Sequence, residues 1–313
     1  MKLLFSLPVH EKPEVVIDQV LNFLHFNPDS GVVLHLSQAF DFSKAVMDRK
    51  TFLAKLSKIE NVFVNPTSLR TGLQDMIQAH IANYRYALTV CDFEKFCLCA
   101  SNDMFFRPGL ADYIRPYDCG EKPIEILSVA NPEAPSWYYY AKKAWTDPVL
   151  KTMAKDLCAD KIYMSHIEGS YYSKALFGEL SDLVEKYYDY TKMEIKYPRE
   201  EVFFATLFMN SDLKNRYSKC PGDVFTWVPW DREGFWVLEK DLFLLQKTPG
   251  DYFSVKRVAR DLNVYLRKIL RKNAGYLEQE KALLGSLSEN GKLFRSKWKD
   301  EIKPNCALFQ KKK

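Results

Sequence analysis

Two adjacent carboxylates, Glu200 and Glu201, are the residues of this chain best placed by type and spacing to perform acid–base chemistry. They follow Pro198, which suits the first position of a helix, so both fall in the first turn of a predicted short helix. A carboxylate there stays ionised, while partial burial in a cleft increases its basicity, as a general base requires. Acidic residues in a first turn also simply complement the helix dipole, so a purely structural role stays open.

Several motifs that commonly bind cofactors or metals are missing from the sequence. It has no Asp-x-Asp pair to hold a divalent ion against a nucleotide diphosphate, and no glycine-rich dinucleotide motif or P-loop. Its five histidines form no His-Glu-x-x-His, and no Gly-x-Ser-x-Gly marks a hydrolase nucleophile. An enzyme of this sequence that acts on a phosphate-linked donor must therefore use protein cations where others use a metal ion.

The elements that must position these residues alternate between apolar strands and amphipathic helices. Such alternation predicts an α/β fold with a mostly parallel sheet flanked by helices, in which ligands bind beyond the carboxyl ends of the strands. The segments Val9–His10, His35–Ser37 and Asn65–Pro66 follow predicted strands, so we expect a ligand there, and the polar residues Ser101–Asp103 stand at the exit of a further strand. The predicted strands are Leu3–Val9, Gly31–Leu36, Asn61–Asn65 and Phe96–Ala100, and the predicted helices include Pro13–Phe26, Thr71–Tyr86 and Lys174–Glu185.

Two later stretches differ in composition from the rest. Residues 115–150 are rich in Pro, Tyr and Trp and include Trp137–Tyr140, which is either a loop facing an acceptor or an ordered insertion. Beyond Tyr252 an apolar stripe at helical spacing is accompanied by many Lys and Arg residues. We therefore predict a domain of residues 1–250 and a helical, basic C-terminal segment of residues 251–313 packed on it. Adsorption to a membrane surface, a coil-like contact with a partner and an ordinary solvated helix all stay open for that segment.

The overall composition excludes several classes of protein. With 313 residues and 47% hydrophobic content, the chain can bury a sizeable core and is neither disordered nor fibrous. Its net charge of +5 is mild and is concentrated late in the chain, so it does not indicate a nucleic-acid-binding protein. Seven cysteines without a CxxC pair are typical of reduced thiols in a cytosolic protein. No run approaches the roughly 18 apolar residues of a membrane span.

A series of motifs, in order along the chain, resembles one family: the inverting core-2/I-branching β-1,6-N-acetylglucosaminyltransferases and their xylosyltransferase relatives, glycosyltransferase family 14. In the first half, Val9–Lys12 resembles the family's VHxK, Val33–Ser37 resembles xIHVD with Ser37 in place of Asp, and Leu98–Asp103 resembles LSGxDxP with Phe105 in place of Pro. In the second half, Gly169–Tyr172 resembles GSxYF, Glu201–Ser211 resembles ExFFxTLxxNS, Trp227–Trp230 is similar to a Trp pair, and Phe253–Lys256 resembles LFAxKF.

This resemblance implies a GT-A-like fold and inverting transfer of a sugar, GlcNAc or xylose, from a UDP-sugar to a glycan hydroxyl in surface-polysaccharide synthesis, without a metal ion or other cofactor. By motif position Glu201 is then the catalytic base, with Glu200 as its neighbouring rival, and Lys256 binds the donor diphosphate. A second cation comes from Lys247 or Arg257. The other implied contacts are Val9, His10, Ser37 and Asp103 to the nucleotide-sugar, and Glu168 and Trp230 to the acceptor.

Two other functions remain as alternatives to this interpretation. One is a metal-dependent nucleotide-sugar transferase that uses Ser101–Asp103 as a degenerate metal site, and the other is a non-catalytic carbohydrate-binding protein of the same fold. The eukaryotic relatives are anchored in the secretory pathway and rich in disulfides, whereas this chain begins at its first strand. We therefore expect a cytoplasmic enzyme, held at the membrane surface by its basic C-terminal helices and acting on a glycan or lipid-linked glycan.

Overall fold

The computed structural model of the protein describes residues 1–72, 76–188, 197–222, 224–228, 245 and 250–256. The strands of these residues are β1 Leu3–Val9, β2 Ser30–Leu36, β3 Val62–Val64, β4 Lys95–Leu98, β5 Met104–Phe105, β6 Cys119–Gly120, β7 Ile124–Ser128, β8 Lys161–Met164, β9 Tyr171–Ser173, β10 Thr226–Trp227 and β11 Ser254–Val255. The helices are α1 Pro13–Phe26, α2 Arg49–Leu56, α3 Met76–Val90, α4 Leu110–Ile114, α5 Ala141–Thr146, α6 Pro148–Asp156, α7 Lys174–Tyr187, α8 Arg199–Asn210 and α9 Leu213–Arg216.

Six strands form the central sheet, in the order β3-β2-β1-β4-β9-β6. The first four of these run parallel, and β9 lies antiparallel between β4 and β6. The chain leaves β1 toward β2 and β3 on one side and returns to β4 on the other, so the strand order reverses between β1 and β4. Ligands of open α/β sheets bind at such a reversal, beyond the carboxyl ends of the strands. The predicted α/β fold with a mostly parallel sheet flanked by helices is confirmed.

Apolar packing covers both faces of this sheet. Every residue of β1 and β2 is buried, as expected of parallel strands with helices on both sides. On one face Phe23 of α1 packs edge-to-face on Phe5 and Phe105, with ring centroids 5.1 and 4.9 Å away. On the other face Phe177 of α7 lies 4.6 Å from Phe96, measured between ring centroids. Each such buried ring stabilises the fold by about 1.5–3 kcal/mol, so these layers fix the strand ends firmly.

A second, three-stranded sheet closes over the exit of β4. In it β11 pairs parallel with β10 and antiparallel with β5. Residues 254–255 are therefore a strand of the main body, although the sequence placed them in the helical C-terminal segment. The physical reason is that the Ser254 and Val255 backbones complete the edge of β5, and both side chains are buried. The rest of that predicted segment, residues 257–313, lies outside the described part of the chain.

The structure also bears on the predicted helix bounds, the cysteine thiols and the absence of a membrane span. The helix predicted from Thr71 to Tyr86 is observed as Met76–Val90. The helix predicted with Pro198 at its first position begins one residue later, at Arg199, and Pro198 is its N-cap. Six cysteines are free thiols, and Cys306 lies outside the described residues. Within the ranges that the structure describes, no helix is long and apolar enough to cross a membrane.

Candidate active site

The turn between β8 and β9, residues 165–170, lies at the carboxyl edge of the central sheet. Its Gly169 amide donates to the Leu98 carbonyl over 2.8 Å, which ties the turn to the end of β4. Gly169 has φ +82°, and a Cβ there would lie 2.4 Å from the Thr226 amide nitrogen, a distance that side chains do not tolerate. The turn therefore needs glycine at this position, and it holds the preceding residue, Glu168, beside the exit of β4.

Helix α8 is fixed at its first residue by a buried ion pair. The Arg199 Nε donates to Asp147 Oδ2 over 2.6 Å, and the Tyr197 hydroxyl donates to the same oxygen over 2.7 Å. The side chains of Arg199 and Asp147 are 2% and 0% exposed, so removing either partner would leave a buried, uncompensated charge. The Ser165 amide also donates to the Glu201 carbonyl over 2.8 Å, which joins α8 to the 165–170 turn. The two carboxylates of the first turn are thus held in place by contacts on both sides.

Glu201 is half-buried and is held by an aromatic hydroxyl. Tyr138 donates its hydroxyl hydrogen to Glu201 Oε2 over 2.8 Å. Burial, and then the charge of Glu201, raises the pKa of Tyr138, so the hydroxyl stays protonated and remains a donor. A carboxylate that is partly open to solvent and oriented by one fixed donor is suited to accept a proton from a ligand.

Glu200 has a different environment from its neighbour. It is 5% exposed, and its Oε2 has no hydrogen-bond partner among the described residues. Burial raises the pKa of Glu200 well above its usual value, the charges of Glu201 and Glu168 raise it further, and Lys256 opposes them. Burial therefore favours the protonated, neutral form of Glu200. Neighbouring carboxyls whose environments separate their pKa values commonly divide the acid and base roles, and here the accessible one is Glu201.

A cation reaches this cluster from the second sheet. Lys256 follows β11, its amide donates to the Trp227 carbonyl over 3.0 Å, and its Nζ forms an ion pair with Glu168 Oε1. The other Glu168 oxygen lies 3.2 Å from His166 Nδ1. Burial by itself would raise the pKa of Glu168, but Lys256 and His166 together lower it to about 2. Glu168 is therefore ionised, and its buried carboxylate lies between two basic side chains.

Two of the residues predicted to contact the nucleotide-sugar, Val9 and His10, lie at the end of β1. Val9 is fully buried as the last residue of that strand. His10 is exposed, and its amide lies 3.4 Å from the Ser101 hydroxyl oxygen beyond β4. This contact spans the reversal between β1 and β4, so His10 lies at the mouth of the crevice where the topology predicts a ligand.

Ser37 and Asp103 instead stabilise the loops that they belong to. The Ser37 hydroxyl oxygen accepts from the amides of Ala39 and Thr71, each over 3.1 Å. The Asp103 Oδ2 accepts from the Ala100 amide over 2.8 Å, and the side chain is fully buried. Both side chains therefore hold loops at the carboxyl edge in shape. Their predicted contacts with a nucleotide-sugar remain predictions.

Two residues of the site were not predicted from the sequence. Tyr138 belongs to the aromatic run that was noted, but its hydrogen bond to Glu201 had no sequence signal. Glu121 follows β6, is fully buried, and accepts from the Tyr172 hydroxyl at Oε2 over 2.9 Å. Its Oε1 has no hydrogen-bond partner in the described ranges. Burial raises the pKa of Glu121 to about 7, opposed by Tyr172 and Lys219.

Three predicted site residues cannot be placed. Lys247, Arg257 and Trp230 lie outside the described residues, so the second cation and the Trp contact with the acceptor stay predictions, as does a membrane contact of the basic C-terminal segment. The side chain of Glu168, predicted to face the acceptor, is 12% exposed and forms an ion pair with Lys256. Among the residues that the structure places, no group of three or more His, Cys, Asp or Glu side chains could hold a metal ion.

No protein-family model matches this chain, and no curated protein matches its sequence. Solved structures to which this chain shows some similarity include the galactosyltransferase LgtC in complex with donor and acceptor sugar analogues, with a TM-score of 0.40 and 10% identity over 88% of this chain and 96% of LgtC. An active-site mutant of LgtC gives a TM-score of 0.40 and 9% identity over 88% and 95% of the two chains. The PaToxG glycosyltransferase gives a TM-score of 0.29 and 12% identity over 69% of this chain and 72% of that chain. Scores and identities this low carry no argument about this chain.

Proposed function

We propose that this chain is an inverting, metal-independent glycosyltransferase with a GT-A-like fold, which moves GlcNAc or xylose from a UDP-sugar to a glycan hydroxyl. One observation carries the proposal: a partly open carboxylate, Glu201, lies in the same cluster as a buried cation, Lys256, at the carboxyl edge of the sheet. Two contacts support this grouping: the Ser165 amide donates to the Glu201 carbonyl over 2.8 Å, and Glu168 of the same 165–170 turn forms the ion pair with Lys256. The order of sequence motifs along the chain supports the same assignment of base and cation.

The reaction needs a base and a stabilised leaving group. Glu201 takes the proton of the acceptor hydroxyl as that oxygen forms a bond to the sugar C1 carbon, and the bond from C1 to the diphosphate oxygen breaks. The electron pair leaves with the diphosphate, whose added negative charge Lys256 stabilises. Because burial favours the neutral form of Glu200, this carboxyl adds less negative charge beside the departing diphosphate than an ionised carboxylate would.

The crevice between β1 and β4 is where we place the nucleotide of the donor. This position follows from the reversal of strand order, beyond which α/β sheets bind their ligands. His10 lies at its mouth, and the turn closed by Asp103 forms its other wall. Glu168 immediately precedes the Gly169 turn at the end of β4, so the diphosphate of a nucleotide bound here would extend toward the Lys256 ion pair.

The aromatic loop of residues 136–140 is where we place the acceptor glycan. Trp137 and Tyr139 are 62% and 82% exposed, although they flank Tyr138, which is buried and holds the proposed base. The Trp137 ring is fixed by a hydrogen bond from Nε1 to the Glu125 carbonyl over 3.2 Å. Flat aromatic faces of this kind pack against the apolar face of a pyranose ring. The acceptor would then approach Glu201 from the side of Tyr138.

The test compares two neighbouring isosteric variants, Glu201→Gln and Glu200→Gln. Release of UDP from UDP-GlcNAc and UDP-xylose is measured with and without EDTA, and donor binding is measured by calorimetry. Glu201→Gln is expected to lower turnover by about 10²–10⁴-fold while it still binds donor, because only the proton acceptor is lost. Glu200→Gln is expected to turn over like the wild type, because burial favours the protonated, neutral form of Glu200 and glutamine mimics that form.

Each alternative corresponds to a different result of the same experiment. Normal turnover by Glu201→Gln would refute the role of Glu201 as the base. Loss of wild-type turnover in EDTA would favour the metal-dependent transferase that uses Ser101–Asp103. Binding of a glycan by a wild-type protein that neither binds nor turns over any donor would favour the non-catalytic carbohydrate-binding protein.

A further inference from the structure

The Lys256 ammonium group, which a bound diphosphate would need as its cation, is already paired with the Glu168 carboxylate. The two side chains are only 11% and 12% exposed, so the pair lies largely out of water. A lysine ammonium has three donors, and Glu168 is the acidic partner that Lys256 has within the described residues. In the structure, therefore, an internal carboxylate already neutralises this cation.

Glu168 is also held strongly in its ionised form. Its other oxygen lies 3.2 Å from His166 Nδ1, and the adjacent Gly169 has the backbone conformation that fixes the turn. A diphosphate bound to Lys256 would lie a few ångströms from this carboxylate. Repulsion between like charges at such a distance lowers the affinity for the diphosphate several-fold or more. Because the carboxylate is largely buried, salt screens this repulsion only weakly.

We propose that Glu168 is an internal counter-ion that competes with the donor diphosphate for Lys256 and thereby sets the affinity for donor and for the UDP product. This inference rests on the proposed function, because it takes Lys256 as the diphosphate-binding cation. Binding of donor loosens the Glu168–Lys256 pair, and its re-formation after transfer offsets the loss of contacts as UDP leaves. Product release limits turnover in many enzymes, so such a counter-ion speeds the catalytic cycle while it weakens binding.

The experiment measures binding of two probes, inorganic pyrophosphate and UDP, to the full chain by isothermal titration calorimetry at fixed ionic strength. Glu168→Gln is expected to bind both probes about tenfold more tightly than the wild type, as removal of one like charge beside a bound anion predicts. Lys256→Met is expected to lose binding of both probes. The double variant, Glu168→Gln with Lys256→Met, should behave like Lys256→Met, because the gain at Glu168 acts through the lysine.

The outcomes separate this inference from the proposed function. If Lys256→Met binds the probes like the wild type, Lys256 is not the diphosphate-binding cation and the proposed function loses its cation. If Lys256→Met loses binding but Glu168→Gln binds equally or more weakly, only the counter-ion role is wrong, and Glu168 then orients Lys256. Thermal unfolding of each variant checks the fold. Should Glu168→Gln fail to fold, Glu168→Asp retracts the carboxylate by one methylene group, and an unchanged or lower affinity there would refute the competition.

Discussion

The buried carboxyl of Glu121 makes the stability of this protein depend on pH in a way that its structure quantifies. Burial raises the pKa of Glu121 from 4.5 to about 7 in the folded chain, whereas in the unfolded chain it stays near its ordinary value. The unfolded state therefore releases this proton more readily, and stability falls as pH rises between the two values. The difference between the folded and unfolded pKa values of Glu121, at about 1.4 kcal/mol per pKa unit, amounts to about 3.5 kcal/mol of unfolding free energy.

The informative perturbation is Glu121→Gln. Glutamine keeps an oxygen that accepts from the Tyr172 hydroxyl and has a similar shape, but it does not ionise. In the wild type, the contribution of Glu121 to the free energy of unfolding is greatest below about pH 4.5. It decreases as the pH rises to about 7 and is constant above that pH. Relative to the wild type, the variant should therefore gain about 3.5 kcal/mol between pH 4.5 and pH 8.

Urea unfolding measures this gain. Fluorescence of the six tryptophans would follow unfolding of both proteins at half-unit steps from pH 4.5 to pH 8.5. The other titrating groups are common to both proteins, so they cancel in the difference between the two curves. A difference that stays constant across this range would show that Glu121 is ionised in the folded chain, and the argument from its burial would be wrong.

Two further predictions concern the aromatic loop. Tyr138→Phe removes the hydroxyl that holds Glu201, so kcat should fall about ten- to hundredfold, the range expected when a charged hydrogen bond of about 1.5–3 kcal/mol is lost, while donor affinity stays unchanged. A parallel loss of donor affinity would contradict a role confined to Glu201. Trp137→Ala removes an exposed ring, so the acceptor KM should rise about tenfold while release of UDP to water stays unchanged and thermal stability barely moves. An unchanged acceptor KM would exclude this loop as the acceptor site, and Tyr139→Ala serves as the matched second variant.

The parts of the fold that the sequence predicts are those with strong local signals. The strands at Leu3–Val9 and Ser30–Leu36 are mostly apolar and fully buried, and α1 and α7 have apolar residues at helical spacing. The antiparallel insertion of β9 and the three-stranded sheet of β5, β10 and β11 had no such signal. Two-residue strands owe their existence to partners distant in the chain, and no local periodicity encodes such pairing.

The site follows the same division. Glu200 and Glu201 could be singled out because Pro198 and the helix that follows are local features. The difference between the two carboxyls could not be predicted, because it depends on burial and on contacts with distant residues. Glu121 shows this limit most clearly. Its neighbours in the chain, Lys122 and Pro123, suggest a solvated turn, and only the surrounding tertiary structure buries its carboxyl and raises its pKa.

The three-stranded sheet also has a consequence for the order in which the protein is made. Residues up to Asn210, which include Glu168 and both carboxyls of α8, leave the ribosome before Lys256 does. The lysine takes its place only when Val255 pairs with Met104, a contact between segments far apart in the chain and therefore slow to form. A growing chain thus contains its acidic groups before the cation that balances one of them, and the Lys256–Glu168 ion pair forms only when the second sheet is complete.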